Sequence, residues 1–380
     1  MEPLPRESEE HTLFRTTIGE FVRKEIAPHV DEWDEAGAFP RDLYRKVGEL
    51  GAFGIGFDEA HGGLGTHDPM LLVILSEELA AAGGGGVSAS LFSNYIGAPP
   101  IQVAGRPDVQ EEILPRMLTG DVICALGITE PSGGSDVANL RTTAVRDGDE
   151  YVVNGQKTFI TSATRADYVT TAVRTGGPGA GGVSLLVVPT HLDGFSTTPL
   201  RKMGWWASDT ATVYYDDVRV PARYLLGEEN RGFEVIMANF NYERLFMIAG
   251  MVGAARVCFD EALAWARERQ TFGKRLADHQ VIRHKLVEMD RTINATRAWM
   301  GDLVDRIAVG ESPVAQLAEC KVQASLTMEF CAREAAQILG GASYLRGNAV
   351  ERIYREVRVN AIGGGSEEIM RDLAARKLGI

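Results

Sequence analysis

The densest chemistry in the sequence is the run Ile128-Thr129-Glu130-Pro131-Ser132-Gly133-Gly134-Ser135-Asp136, in which hydroxyls on Thr129 and Ser135 flank a turn with two glycines. Glycine lets the main chain approach a ligand closely, so such a loop can offer N–H groups and hydroxyls to a phosphate or to the polar edge of a heterocycle. The same composition suits a capped surface turn, and the residues by themselves support both. Other motifs fail on context. Gly177-Pro178-Gly179-Ala180-Gly181-Gly182 satisfies GxGxxG, but a strand pattern follows it where a dinucleotide fingerprint needs a helix. Gly273-Lys274 is followed by Arg275 and lacks the upstream glycine of a phosphate-binding P-loop. His279 and His284 are five residues apart, off the four-residue step that stacks two ligands on a helix, and no metal is expected. Cys124, Cys258, Cys320 and Cys331 are scattered without CxxC spacing, which argues against a disulfide framework or zinc site and for a reducing compartment.

The elements that must position this loop fall into three blocks. Over residues 13–33, 41–50 and 69–82 the apolar positions recur at helical spacing, interrupted by glycine-rich stretches at 62–65 and 83–86. Near Gly120 the pattern changes to alternating and β-branched runs, with strands expected at 151–153, 158–160, 168–173, 183–188 and 211–215. Asn154-Gly155 between the first two predicts a two-residue type I′ hairpin, and 176–182 reads as a loop. From Gly232 onward helical patterns return over 243–267, 281–307, 314–339 and 348–360, the third ended by Gly340-Gly341. The fold class expected is therefore α+β multidomain: an N-terminal α-helical domain (1–121), a middle antiparallel β domain (122–226) and a C-terminal α-helical, four-helix bundle (227–380).

At 380 residues, with 45% hydrophobic and 24% charged residues, the chain has the composition of a globular protein with room for more than one core. Its formal charge of −13 argues against nucleic acid or an anionic membrane as the main partner. The N-terminal residues are acidic without an apolar h-region, and no run approaches the ~18 apolar residues of a membrane span. A cytoplasmic location is expected.

The loop at 128–136 resembles the signature of the acyl-CoA dehydrogenases, flavoenzymes that oxidise the Cα–Cβ bond of acyl-CoA thioesters. The resemblance extends over essentially the whole chain. It is carried further by Gly155-Gln156-Lys157-Thr158-Phe159-Ile160-Thr161, Asp216-Asp217-Val218-Arg219-Val220-Pro221, Arg267-Glu268-Arg269-Gln270-Thr271-Phe272-Gly273-Lys274 and Gln337-Ile338-Leu339-Gly340-Gly341. It implies FAD as cofactor, with Thr129 and Ser135 on the flavin pyrimidine edge and the pyrophosphate or pantetheine, and Phe159 and Thr161 against the isoalloxazine. It implies that Arg269, Phe272, Gln280, Gln337 and Gly341 reach the FAD of a neighbouring subunit, so that the protein is a homo-oligomer, a tetramer or dimer. An arginine suits that task because its planar fork grips phosphate oxygens bidentately. Ser366 and Glu368 are carried over as further flavin contacts, and Ser135, Asn241, Arg244, Gly364 and Gly365 as substrate contacts.

Desaturating a thioester requires removal of an α proton while hydride leaves Cβ, so a carboxylate must face the flavin across the substrate. In many family members that glutamate lies in a C-terminal loop, which here reads Ile362-Gly363-Gly364-Gly365-Ser366-Glu367-Glu368, with Gly364 at the matching position. A smaller branch, including isovaleryl- and long-chain-type enzymes, carries the base on a helix of the C-terminal domain in a Glu-Arg pair followed by apolar residues. Asn241-Tyr242-Glu243-Arg244-Leu245-Phe246-Met247-Ile248 matches that pattern, which makes Glu243 the candidate base. Glu367 and Glu368 read as first-turn residues of a helix capped by Ser366. Gly363, where the family often carries a larger residue, is expected to open room for a branched or bulky acyl chain. Ser162-Ala163 and Trp205-Trp206 depart from the family pattern, the tryptophans reading best as packing between domains.

The function expected is FAD-dependent dehydrogenation of an acyl-CoA to a trans-2-enoyl-CoA, with an electron-transferring flavoprotein as acceptor. The alternatives are a flavin oxidase or desulfinase-like enzyme on the same scaffold, which oxygen consumption would reveal, and a catalytically inactive acyl-CoA-binding protein, which would purify without yellow colour.

Overall fold

The computed structural model describes residues 3, 4 and 6–380, apart from the side chains of residues 238–241. Helix α1 (Glu9–Phe21) starts at Ser8, whose hydroxyl accepts from the His11 amide while the His11 ring accepts the Ser8 amide. The single helix expected over 13–33 is broken: a π turn at Val22–Ile26 and a 3-10 turn at Ala27–His29 separate α1 from α2 (Val30–Ala36). Pro28 is the cause, since it has no N–H and disfavours α geometry in the residue before it. Helices α3 (Asp42–Glu49), α4 (Pro69–Ala80), α5 (Gly85–Leu91), α6 (Asn94–Gly97), α7 (Pro99–Ala104) and α8 (Pro107–Leu118) complete the N-terminal part.

The middle block forms one sheet from β1 (Cys124–Gly127), β2 (Thr143–Asp147), β3 (Glu150–Ile160), β4 (Tyr168–Arg174), β5 (Val183–Pro189), β6 (Phe195–Pro199), β7 (Ala211–Pro221) and β8 (Leu225–Leu226), in the order β6-β7-β3-β2-β4-β5-β8 with β1 beside β4. Most pairings are antiparallel as expected, but β1 pairs with β4 in parallel, and so does β2 at Thr143 and Arg174. The hairpin predicted at Asn154-Gly155 does not form. β3 runs straight through it, because the Asn154 side chain bonds to both the amide and the carboxylate of Asp217 on β7, and the extra residue is absorbed as a register shift between Val153 and Gly155.

The C-terminal part is α9 (Gly232–Glu268), a short hairpin of β9 (Gln270–Thr271) and β10 (Lys274–Arg275), then α10 (Gln280–Ala308), α11 (Val314–Leu339), α12 (Ala349–Ile362) and α13 (Glu367–Leu378). Two large cores result. One joins the N-terminal helices to the sheet, and the other fills the C-terminal bundle. Helix α4 is apolar nearly all round because it faces both: Leu72, Leu75 and Leu79 enter the first core, and Met70, Val73 and Ile74 the second. Its approach to α9 depends on Gly253, where a Cβ would stand 2.6 Å from that of Ala80. The tryptophans pack between domains, Trp206 lying between the guanidinium groups of Arg346 and Arg355 with its indole N–H on the Lys202 carbonyl.

Candidate active site

The glycine-rich loop leading into the sheet is held from inside. Glu130 and Gly133 exchange both backbone hydrogen bonds across the turn, and the Thr129 carbonyl accepts from the Thr158 amide at 2.8 Å, which ties the loop to the end of β3. The Glu130 side chain points inward, accepting from the amides of Arg141 (2.6 Å) and Thr142 (2.8 Å) and from Lys157 Nζ (2.8 Å). Burial pushes this carboxyl up, but the Lys157 ammonium and the amide donors outweigh it and hold it at about 2. With Glu130 so occupied, Gly133, Gly134 and Ser135 face outward, and Thr129 is half-buried beside Gly134.

The end of β3 turns one side chain out of the sheet. Lys157 and Ile160 are buried, yet Phe159 between them adopts φ 60° and is 68% exposed. The register shift between Lys157 and Ile160 re-aims it, a device common beside functional sites. A large apolar ring standing free, next to half-buried Thr161 and a loop of outward hydroxyls and amides, fits the flat face and polar edge of a flavin. Ser162 follows and points away, its hydroxyl donating to the Ser90 carbonyl at 3.0 Å.

A second group gathers on α9. Glu243 has one carboxylate oxygen, Oε2, fully enclosed and without a hydrogen-bond partner. Burial pushes its carboxyl up to about 7, against the opposing pull of the Arg244 and Lys321 charges. Gly364 lies against it: a Cβ built there would stand 3.8 Å from Glu243 Oε1 and 2.5 Å from the Met247 sulfur. Gly364 and Gly365 have φ of 65° and 101°, backbone that glycine adopts at little cost. Arg244 is buried next to Glu243 at 8% exposure, and the Gly365 carbonyl accepts from Lys321 Nζ at 2.8 Å. Ser366 caps α13 by accepting from the Ile369 amide, with Glu367 and Glu368 in the first turn. Gly363 faces a site partly filled, since a Cβ there would come within 3.8 Å of the Met247 methyl. The Asn241 side chain lies outside the described residues.

The two groups border one segment. Ser90 at the end of α5 receives the Ser162 bond, and two residues on Phe92 packs against Phe246, one turn beyond Glu243, at 5.8 Å between ring centroids. Tyr95 stacks on Phe92 and tilts against Phe246, completing an aromatic wall one turn beyond Glu243.

The remaining predicted residues sit elsewhere. Arg269 and Gly341 line a cavity of about 400 Å³ with Trp265, Thr271, Leu276 and Ile338. Gln337 and Gln280 are exposed nearby in sequence, and Phe272 stands at the hairpin tip, 98% exposed. Arg269 caps the C-terminal end of α9, 26 residues on from Glu243 and so ~39 Å along the helix at 1.5 Å per residue. Met247 belongs to the apolar run after Glu243 expected to desolvate it, whereas two residues placed here, Lys157 and Lys321, carry no role in the sequence reading. Lys157 had a signal, a lysine in phase with the buried side of a strand. Lys321 had a similar one, a lone cation within the apolar pattern of α11.

An enclosed carboxylate of raised pKa opposite glycine backbone, together with an exposed aromatic ring beside a loop of outward amides and hydroxyls, is an arrangement suited to flavin-type redox chemistry. The chain matches three family models: acyl-CoA dehydrogenase N-terminal domain over residues 8–121, middle domain over 125–218 and C-terminal domain over 230–379. It is 35% identical over 375 residues to the long-chain specific acyl-CoA dehydrogenase of Rattus norvegicus, covering 98% of this chain and 87% of that protein. Among solved structures it is similar to a “probable acyl CoA dehydrogenase” of Mycobacterium abscessus (45% identity, TM-score 0.95, 98% and 99% of the two chains). It is also similar to butyryl-CoA dehydrogenase of Megasphaera elsdenii (29%, 0.93, 100% of each). The chain belongs to the acyl-CoA dehydrogenase family, whose members are FAD-dependent oxidoreductases.

Proposed function

We propose that the protein oxidises the Cα–Cβ bond of an acyl-CoA thioester to a trans-2-enoyl-CoA, with Glu243 as the base that removes the α proton. The observation that carries this reading is the meeting of Glu243 with Gly364. The loop position where many relatives hold their base has no side chain, and a carboxylate oxygen from another helix lies 3.8 Å from where its Cβ would be. An enclosed carboxyl titrating at about 7 is a stronger base than an exposed one and still ionises near neutral pH. FAD, when bound, supplies the acceptor for the hydride leaving Cβ. Thr129, Ser135, Phe159 and Thr161 would hold the flavin ring and the first phosphates, while Arg244, Gly364 and Gly365 would line the thioester side. Arg269, Phe272, Gln280, Gln337 and Gly341 would complete the site of a second chain, a reading supported by the ~39 Å along α9 and by the bare apolar surface of Phe272 and Tyr344. The acceptor for the electrons is an electron-transferring flavoprotein.

Relatives of similar likeness carry names from butyryl- to long-chain, so acyl length does not transfer with the family. From the wall of Phe92, Tyr95 and Phe246, with Met247 beside Gly363, we infer a preference for compact acyl groups over long straight ones. Anaerobic titration of the flavin absorbance with butyryl-, isovaleryl- and octanoyl-CoA tests both points. Bleaching is expected, at the lowest ligand concentration for the compact acyl groups. Glu243→Gln is expected to retain FAD and to lose turnover by at least ~10³-fold, of the order seen when a general base is removed. Undiminished turnover in that variant would reject Glu243 as the base.

A further inference from the structure

We propose that Lys321 is a positioning residue for this reaction: it anchors the glycine loop opposite Glu243 and supplies the cation that faces the Glu243 carboxylate from the neighbouring helix. The inference rests on Glu243 acting as the base. Lys321 lies in the middle of α11 and is 0% exposed. Its neighbours on that helix include Leu317, Ala318, Val322 and Ala324, all buried, so packing alone would favour an apolar side chain there. Placing an ammonium in such a setting costs several kcal/mol unless hydrogen bonds and opposite charge offset it. Both are present. Nζ donates to the Gly365 carbonyl at 2.8 Å, and although burial and Arg244 pull the amine down to about 8, the carboxylates of Glu367, Glu243 and Glu368 act the other way and support its charge.

The loop needs an anchor of this kind. Three consecutive glycines carry no side chain that could fix it and lose the most backbone entropy on ordering. Its ends are held by the Gly363 amide on the Val359 carbonyl at 2.7 Å and by the Ser366 cap, and Lys321 holds the stretch between them. The same ammonium acts on the base. The charges that face Glu243 are Arg244 on its own helix and Lys321 from α11, and Lys321 in turn faces Glu367 and Glu368 at the start of α13. Glu367 is itself engaged by Ser325 and Arg371, which both donate to its carboxylate.

The sign of the effect follows. A cation favours the ionised carboxylate, so removing it raises the pH at which Glu243 becomes competent. The test is the pH profile of kcat/KM for the FAD-loaded enzyme with an acyl-CoA that the wild type turns over, measured for wild type, Lys321→Gln and Lys321→Arg with Glu243→Gln alongside. Glutamine can still donate to the Gly365 carbonyl but carries no charge, and arginine keeps the charge. The acid limb of Lys321→Gln is expected to move up by roughly one unit, so that its activity falls several-fold at pH 6.5 and recovers toward pH 9. Lys321→Arg is expected to keep the wild-type limb. An unmoved limb in Lys321→Gln with flavin content and melting temperature intact would overturn the proposal. Loss of flavin and fold in both variants would overturn it too, by reducing Lys321 to scaffold. Persisting turnover in Glu243→Gln is a different result, and sinks the base assignment instead.

Discussion

At the scale of single residues, the environment of Glu243, the proposed base, has a cost in stability. In the unfolded chain its carboxyl ionises at the ordinary value of 4.5, and in the folded protein at about 7. Between those values the folded state binds more protons, so this group makes the protein less stable as pH rises from 4.5 to 7, after which the loss is constant. Glu243→Gln removes the enclosed charge. It is expected to melt higher than wild type at pH 8, by an amount worth up to ~3 kcal/mol, and to match wild type near pH 4.5. A pH-independent difference in denaturation midpoint would count against the enclosed state of the carboxyl. A stabilised variant without turnover is the pattern expected when a site is built at the expense of folding energy.

At the scale of elements, the glycine-rich loop proposed to hold the flavin and strand β3 form one unit because of the buried Glu130–Lys157 pair. The loop's hydroxyls and amides face outward only because Glu130 is drawn inward by Lys157 and the Arg141 and Thr142 amides. Removing one partner leaves the other charge buried and uncompensated, which typically costs ~3–5 kcal/mol. Lys157→Met is therefore expected to lower the denaturation midpoint and to release flavin at concentrations where wild type retains it. Unaltered FAD affinity in a Lys157→Met protein that is clearly destabilised would show that the loop's shape does not depend on the pair. The bulge that turns Phe159 outward belongs to the same unit, since it begins at Lys157.

At the scale of the whole molecule, the parts are locked at a junction of all three regions. Asp34 of α2 accepts from the Trp206 amide and from Arg355 of α12, and Glu356 accepts from the Gly85 amide at 2.9 Å. Burial raises the Glu356 carboxyl to about 7, so its contribution to stability runs with pH in the same direction as that of Glu243. Helix α12 connects this junction to the glycine loop, so the placement of the loop depends on packing between domains. Beyond one chain, we propose that Phe272, 98% exposed at the hairpin tip, and Tyr344, 92% exposed, meet a second chain. Phe272→Asp is expected to yield a smaller species in sedimentation with unchanged far-ultraviolet circular dichroism and a matching drop in bound FAD. Full flavin content in a dissociated chain would contradict a site shared between subunits. Among the described residues no helix is long and apolar enough to cross a membrane.

Much of this was legible in the residue order because it depends on local patterns. The helix, sheet, helix succession follows from apolar periods of 3.6 and 2, the glycine-rich loop from composition, and the proposal of Glu243 as base from the absence of a side chain at Gly364 together with a Glu-Arg pair at 243–244. Where local signals competed with partners distant in sequence, the pattern failed. Asn154-Gly155 favours a turn by itself, but Asp217 on β7 offers its side chain more than a turn would. What only the tertiary structure decided is how side chains far apart in sequence share one enclosure: Lys157 with Glu130, Lys321 with Gly365, and Glu243 with Gly364. Enclosure is what changes proton affinity and fixes a loop of glycines. It arises from which surfaces exclude water together, a property of the packed chain that no stretch of the sequence holds alone.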